Sequence, residues 1–348
     1  MGGSSSGARG VSLVYRRPQK PVSRDRISEF VARPDFGRQL AGGTPRGHLY
    51  DHIAGIARSR PSPKEGDVTS SVWSLGENWP NRPVNLLSRA QRADCFHCSN
   101  DVYMYEHLPA NTLVVDFANR HVGGGCFGKG FVQEEQMVVQ STDFAARLHS
   151  NRDYITENGA VTYEGVHIDA WWPRNAAAKK DQLGWDDIQA LHSRSLTILA
   201  VDAPRMGRSR GYDRWSLEML AKKVLLIFEI ARELQSPTIL TGLLGGGAFR
   251  NNRPLVLLLH LLLQEQDDPP FVLFHHPVFW SFCGRPEAEL EAEILRIADV
   301  HLAHMRQRGV RTLGEALDIV MDANLPLSQN DGDLVCELLH HHSKRRRP

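Results

Sequence analysis

The sequence predicts a three-layer α/β/α sandwich on a mixed, largely parallel sheet with flanking helices. Short apolar, β-branched runs alternate with longer stretches of helical periodicity through the middle of the chain. Two glycine runs, Gly123-Gly124-Gly125 and Gly245-Gly246-Gly247, each follow such a strand and precede a helix. At that junction the unpaired N–H groups of the helix face the carboxyl ends of the strands, where open α/β sheets bind anionic ligands.

Residues 1–24 are rich in Gly, Ser, Arg and Pro and are expected to form a disordered arm, because they bury too little to offset ordering. Residues 25–66 carry Ile27, Phe30, Val31, Leu49, Ile53 and Ile56 at helical spacing, an accessory helical segment that ends in a linker over 61–67. The main domain is assigned to 67–285, beginning with Trp73 and Trp79, each read as a core residue. Its expected strands are 112–117, 196–202, 237–242 and 271–275, and its expected helices 134–149, 215–235 and 254–264. Residues 286–324 read as C-terminal amphipathic helices and 325–348 as a tail whose basic run, Lys344 to Arg347, is solvated.

Composition narrows the function classes. Lys and Arg total 41 against 40 for Asp and Glu in 348 residues, so no global field steers the protein onto nucleic acid or a membrane. The longest apolar run, Leu255 to Leu263, contains His260 and falls far short of the ~20 residues of a membrane span. Five cysteines, an odd and scattered set, point to a reducing intracellular compartment, cytoplasmic or nuclear. Cys95-Phe96-His97-Cys98 has the spacing of half a zinc site, but nothing completes four ligands, so no metal is expected.

The segment Val115-Asp116-Phe117-Ala118-Asn119-Arg120-His121-Val122-Gly123-Gly124-Gly125 is followed, after residues 126–132, by Gln133-Glu134-Glu135. A glycine triplet lets backbone N–H groups close on a diphosphate or ribose at contact distance. Adjacent carboxylates that are crowded and partly buried raise the pKa of at least one, which then serves as a general acid. Cleavage at a sugar C1 passes through an oxocarbenium-like state that wants a proton on the leaving atom and negative charge nearby. An exposed acidic pair opening a helix is the plain alternative.

This arrangement resembles the catalytic motif of poly(ADP-ribose) glycohydrolase. Two further runs extend the resemblance: Leu199-Ala200-Val201-Asp202-Ala203 is similar to the next core strand of that family, and Thr241 to Phe249 to its second phosphate loop. The resemblance implies a macrodomain that removes ADP-ribose from poly(ADP-ribose) or ADP-ribosylated proteins without a cofactor. It implies that Glu135 is the general acid/base and that Glu134 holds the ribose hydroxyls, with Asp116 and Asn119 fixing the ribose and the loop. Gly123, Gly124 and Gly125 would approach the distal ribose and diphosphate, and Gln133 would orient the loop. Gly245, Gly246 and Gly247 would bind phosphate, and Phe249 would stack on the ribose. The family's clamping Tyr-x-Gly-Tyr loop is matched here only by Tyr163-Glu164-Gly165-Val166. The missing second tyrosine raises a rival substrate, a single ADP-ribose unit attached to protein, for instance through arginine. A second rival, an ADP-ribose reader without turnover, is opposed by retention of both Glu134 and Glu135.

Overall fold

The computed structural model describes residues 14–59, 64, 66–88, 96–99, 105, 108–127, 133–171, 188–191, 193–205, 213–246, 249, 251–264, 271–275 and 287–322. Ten strands and nine helices are found in them. β1 (Val14–Pro18), α1 (Arg24–Ala32), α2 (Phe36–Ala41), α3 (Pro45–Arg58), β2 (Thr69–Leu75), β3 (Phe96–Ser99) and β4 (Leu113–Ala118) come first. They are followed by α4 (Gln133–Gln140), α5 (Thr142–Ser150), β5 (Gly159–Val166), β6 (Ala170–Trp171), β7 (Gln189–Ala190), β8 (Leu196–Asp202) and α6 (Arg214–Glu233). The chain continues through β9 (Thr238–Gly242), α7 (Arg253–Leu263), β10 (Phe271–His275), α8 (Glu287–Gln307) and α9 (Leu313–Asp322).

Eight strands form one mixed sheet in the order β1-β2-β5-β8-β4-β9-β10-β3. The run β8-β4-β9-β10-β3 is parallel, and β1, β2 and β5 add antiparallel pairings at one side. Alternation along β4 divides the core. Leu113 and Val115 pack with α6, α7, α8 and α9, whereas Val114 and Ala118 pack with α1 through α5. The result is the expected α/β/α sandwich. Because β8, β4 and β9 are parallel neighbours, the loops that leave their carboxyl ends all open at the same edge of the sheet.

Helix α7 is apolar on every face and accordingly buried on every face. Its one polar interior group is His260, pushed down to about 4 by burial and therefore neutral. Nδ1 lies 2.8 Å from the Val256 carbonyl and must donate to it, so Nε2 accepts from the Thr241 hydroxyl at 3.1 Å.

Four expectations change. Residues 14–18, assigned to a disordered arm, are the edge strand β1. Composition undercounts such a strand, which buries only Val14 and gains its order from the backbone ladder to β2 and from Arg16, which bonds Ser71 and pairs with Glu164. Residues 1–13 and the tail from 323 lie outside the described residues. The single helix expected over 134–149 is two helices, because Ser141 adopts extended backbone and caps α5, accepting from the Phe144 N–H. Strands β2, β3, β5, β6 and β7 are additions, and Tyr163 to Val166, expected in a loop, form the end of β5. Tyr163 and Val166 are both buried, and the Tyr163 hydroxyl donates to Asp153 at 2.9 Å, so neither side chain arches over a ligand. The linker over 61–67 is pinned at Lys64, whose ammonium lies 2.8 Å from both Asp143 and Asp169.

Candidate active site

The glycine triplet and the Glu pair meet at the carboxyl end of β4. Glu134 Oε1 accepts the Gly123 N–H at 2.6 Å, and Oε2 accepts the backbone and side-chain N–H groups of Asn119, each at 3.2 Å. Glu135 Oε1 accepts the Gly125 N–H at 3.2 Å. Gly124 turns its own N–H to the His121 carbonyl at 3.0 Å. All three amides of the triplet are thus donated within the protein. The amides of Gly123 and Gly125 hold the two carboxylates in position, rather than approaching a diphosphate as expected, while that of Gly124 closes the turn.

This close hold on the carboxylates requires glycine. Gly123 has φ +85° and Gly124 φ +27°, and a Cβ on Gly124 would lie 2.3 Å from Asn119 Nδ2 and 2.6 Å from Glu134 Oε2. Gln133 fixes the start of α4 against β4. Its Oε1 accepts the Phe117 N–H at 2.8 Å and its Nε2 donates to the Val115 carbonyl at 3.1 Å. The side-chain amide therefore bonds the β4 backbone beyond Val114, the last residue paired with β9.

Burial sets the electrostatics. Glu134 is 1% exposed, Glu135 3% and Asp116 0%. Desolvation pushes Glu134 up to about 7 even though the Gly123 and Asn119 hydrogen bonds pull the other way. Asp116 is raised well above the usual carboxylate range by burial, then by the charges of Glu134 and Glu135, and neither of its oxygens has a hydrogen-bond partner. Asp116 shares a face of β4 with Val114 and Ala118, under the helical layer, and does not reach the surface to hold a ribose. It acts on the pair through space. Asp116 and Glu134 between them consequently retain a proton near neutral pH. Cys126, next after the triplet, is pushed up to about 12 mainly by burial, so its thiol stays neutral and is no nucleophile.

The accessory helices contribute more than the sequence indicated. From α3, Arg46 donates to the Cys126 carbonyl at 3.0 Å and Tyr50 donates to the same oxygen at 3.1 Å, anchoring the far end of the triplet. Their spacing of four places them on one helix face, but nothing local to α3 names a partner eighty residues away. The second glycine run leaves β9 beside the first. Gly246 donates to Leu243 at 2.8 Å, Asn251 Nδ2 ties this loop to the β8 loop through the Pro204 carbonyl at 2.9 Å, and Arg253 donates to the Gly246 carbonyl at 3.2 Å. Phe249 is half-buried in this loop. Gly247 lies outside the described residues.

Among the described residues no three His, Cys, Asp or Glu side chains are grouped to hold a metal, and no helix is long and apolar enough to cross a membrane.

A mixed α/β/α sandwich with paired carboxylates on a glycine loop at the parallel strands' carboxyl edge defines a macrodomain-type protein. The family described as poly(ADP-ribose) glycohydrolase (PARG), macro domain fold, matches residues 88–275, just over half of the chain, and the chain belongs to that family. Poly(ADP-ribose) glycohydrolase 1 of Caenorhabditis elegans is 25% identical over 284 residues, which cover 73% of this chain and 32% of that protein. The chain thus spans about a third of the length of this relative. Solved structures similar to it include poly(ADP-ribose) glycohydrolase from Thermomonospora curvata bound to the inhibitor ADP-HPD, 18% identical with TM-score 0.42, covering 76% of this chain and 99% of that one. Another is the Deinococcus radiodurans poly(ADP-ribose) glycohydrolase in complex with ADP-ribose, 18% identical with TM-score 0.39, covering 59% of this chain and 89% of that one.

Proposed function

We propose that this chain hydrolyses the C1 glycosidic bond of ADP-ribose, releasing it from poly(ADP-ribose) or from ADP-ribosylated protein inside the cell. The carrying observation is the attachment of Glu134 and Glu135 to the amides of Gly123 and Gly125, which fixes two carboxyl groups side by side in a buried, proton-retaining cluster. Family membership supports the same reading.

In this reading Glu135 gives its proton to the leaving oxygen or nitrogen as the bond to C1 breaks. The oxocarbenium-like charge is countered by the Glu135 carboxylate and by Glu134, whose three N–H donors keep it still. Water then adds to C1 and returns a proton to Glu135, which restores the acid. Asn119 holds Glu134, Gln133 holds α4 to β4, and Asp116 keeps the cluster from carrying its full negative charge. The β9–α7 loop, with Gly245, Gly246, Gly247 and Phe249, takes the phosphate and ribose of the ligand.

Val166, the residue that raised a single-unit substrate, is buried in β5 and so lends that substrate no advantage over the polymer. Glu135→Gln keeps the shape of the site and removes the acid. Release of ADP-ribose is expected to fall at least about 10²-fold while ADP-ribose binding by calorimetry persists. Wild-type release by this variant would remove the mechanism, and binding without release by the wild-type protein would make it a reader.

A further inference from the structure

Several backbone donors around the second glycine loop are already committed. Leu244 donates to the Gly242 carbonyl at 2.9 Å, Gly246 to Leu243 at 2.8 Å and Asn251 to Gly245 at 2.9 Å. The start of α7 is closed in the same way. Pro254 has no N–H, Asn252 Oδ1 accepts the Leu255 N–H at 2.9 Å, and the Asn252 carbonyl accepts that of Val256 at 3.0 Å. In the first loop the triplet amides serve Glu134, Glu135 and His121. With these amides turned inward, backbone donors supply only part of what a diphosphate needs.

A cation is built into the second loop from below. Arg253, the first residue of α7, is 9% exposed. Its Nε donates to the Gly246 carbonyl at 3.2 Å, and its Cγ packs so closely that a Cβ on Gly246 would lie 3.3 Å from it. That acceptor is neutral, so the bond aims the guanidinium without cancelling its charge, which arginine keeps when buried. Farther along α7, His260 accepts from Thr241 of β9 at 3.1 Å, which fixes the helix, and Arg253 with it, against the strand that leads into the loop. Positive charge is needed on this side of the site. The neighbouring β4 loop carries the carboxyl groups of Asp116, Glu134 and Glu135, which repel a phosphate.

We propose that Arg253 gives the second glycine loop its selectivity for a diphosphate, countering the negative charge of the ligand from beneath Gly246. The proposal deepens the hydrolase reading above and rests on it for the identity of the ligand. It divides the labour between the two loops: the β4 loop carries the chemistry, and the β9–α7 loop attracts through a buried side-chain charge as well as through its backbone. Arg253 touches no reacting atom. It is a positioning residue that acts through space and through the Gly246 carbonyl.

The test measures competition by ADP-ribose, ADP and adenosine against a fluorescent ADP-ribose probe, with wild-type, Arg253→Gln and Arg253→Lys proteins. Arg253→Gln keeps an N–H donor for Gly246 and removes the charge. It should weaken ADP-ribose and ADP by about tenfold or more, the scale of a lost interaction with a charged group, and leave adenosine within about twofold. Arg253→Lys restores the charge and should recover most of the loss, and in turnover KM should move more than kcat. Wild-type ADP affinity in Arg253→Gln shows that the residue only props the loop, and it overturns the proposal. An equal loss for adenosine, or a loss that Arg253→Lys fails to recover, does the same.

A second measurement needs no variant. Because a buried cation is screened little, the wild-type preference for ADP over adenosine should change by less than about threefold between about 0.05 and 0.5 M salt. Collapse of the preference would assign it to exposed cations and overturn the proposal. Both measurements read binding alone. A diphosphate preference lost in Arg253→Gln and regained in Arg253→Lys upholds the role of Arg253 even if the protein never releases ADP-ribose from a substrate. Release of ADP-ribose together with unchanged ADP binding by Arg253→Gln overturns this proposal and leaves the hydrolase reading standing.

Discussion

The Gly123 N–H meets Glu134 Oε1 at 2.6 Å, and that contact defines what the glycine triplet does. The carboxylate is buried against a backbone that can come this close only where side chains are missing. The loop and the acid pair are therefore one unit, and changes to either should register in both.

Gly124→Ala tests this directly. A methyl group there would press on Asn119 and Glu134 and would sit at a φ that L side chains rarely adopt. We expect a loss of about 1–3 kcal/mol in stability and about a 10²-fold fall in the rate of ADP-ribose release. Urea unfolding and single-turnover release, measured on the same preparation, read the two effects.

The carboxyl cluster should make the protein less stable in base. Glu134 titrates from 4.5 in the unfolded chain to about 7 in the folded one, so between these values the folded state holds a proton that the unfolded state has lost. Its contribution is fully present below pH 4.5 and is lost as pH rises through about 7, a difference of up to about 3 kcal/mol. Asp116 acts in the same direction. Because Asp116 has no hydrogen bonds to lose, Asp116→Asn should raise Tm at about pH 8 and change it little at about pH 4. A Tm difference that is the same at both values would contradict the assignment.

The opposite sign is expected at the buried ion network. Although burial pushes Asp143 up, Lys64, a His167 hydrogen bond and Arg24 together hold it well below the usual carboxylate range. Its contribution is present above the unfolded pKa of about 4 and is lost as pH falls through the folded value. Lys64→Met would leave Asp143 and Asp169 short of a cation in a buried site, at a cost of about 3 kcal/mol in denaturant unfolding near neutral pH. A loss below about 0.5 kcal/mol would match only an exposed pair.

Helix α3 should matter to turnover although its residues carry no chemistry. Tyr50→Phe removes one bond to the Cys126 carbonyl and should cost about 1 kcal/mol. Combined with Arg46→Ala it frees that carbonyl from both α3 side chains, and kcat should fall more than KM rises. Unaltered kcat in the double variant would show that the loop does not need its anchor.

Much of this was readable along the chain. The parallel strands β8, β9 and β10 fall within a residue or so of their expected places, because the strands of a parallel sheet covered by helices read as nearly continuous apolar runs. The antiparallel β2 and β5 were not legible in the same way: β2 begins Thr69-Ser70-Ser71 and β5 carries a glycine at a bulge, so neither reads as an apolar run. The break at Ser141 is spelled by a capping residue, yet the helical period runs on through it, and only Thr142 meeting Asp169 shows why the second helix starts there.

From its order of residues alone the chain determined that a glycine triplet would stand near two glutamates at the end of a β-strand, since those neighbours are close in sequence and their spacing is local. Only the tertiary structure decided that the Gly123 and Gly125 amides serve the glutamates, that Asp116 is sealed beneath them, and that Arg46 and Tyr50 brace the loop. Those relationships join segments up to eighty residues apart, and they depend on which face of each element is turned inward, a choice made by packing of the whole core.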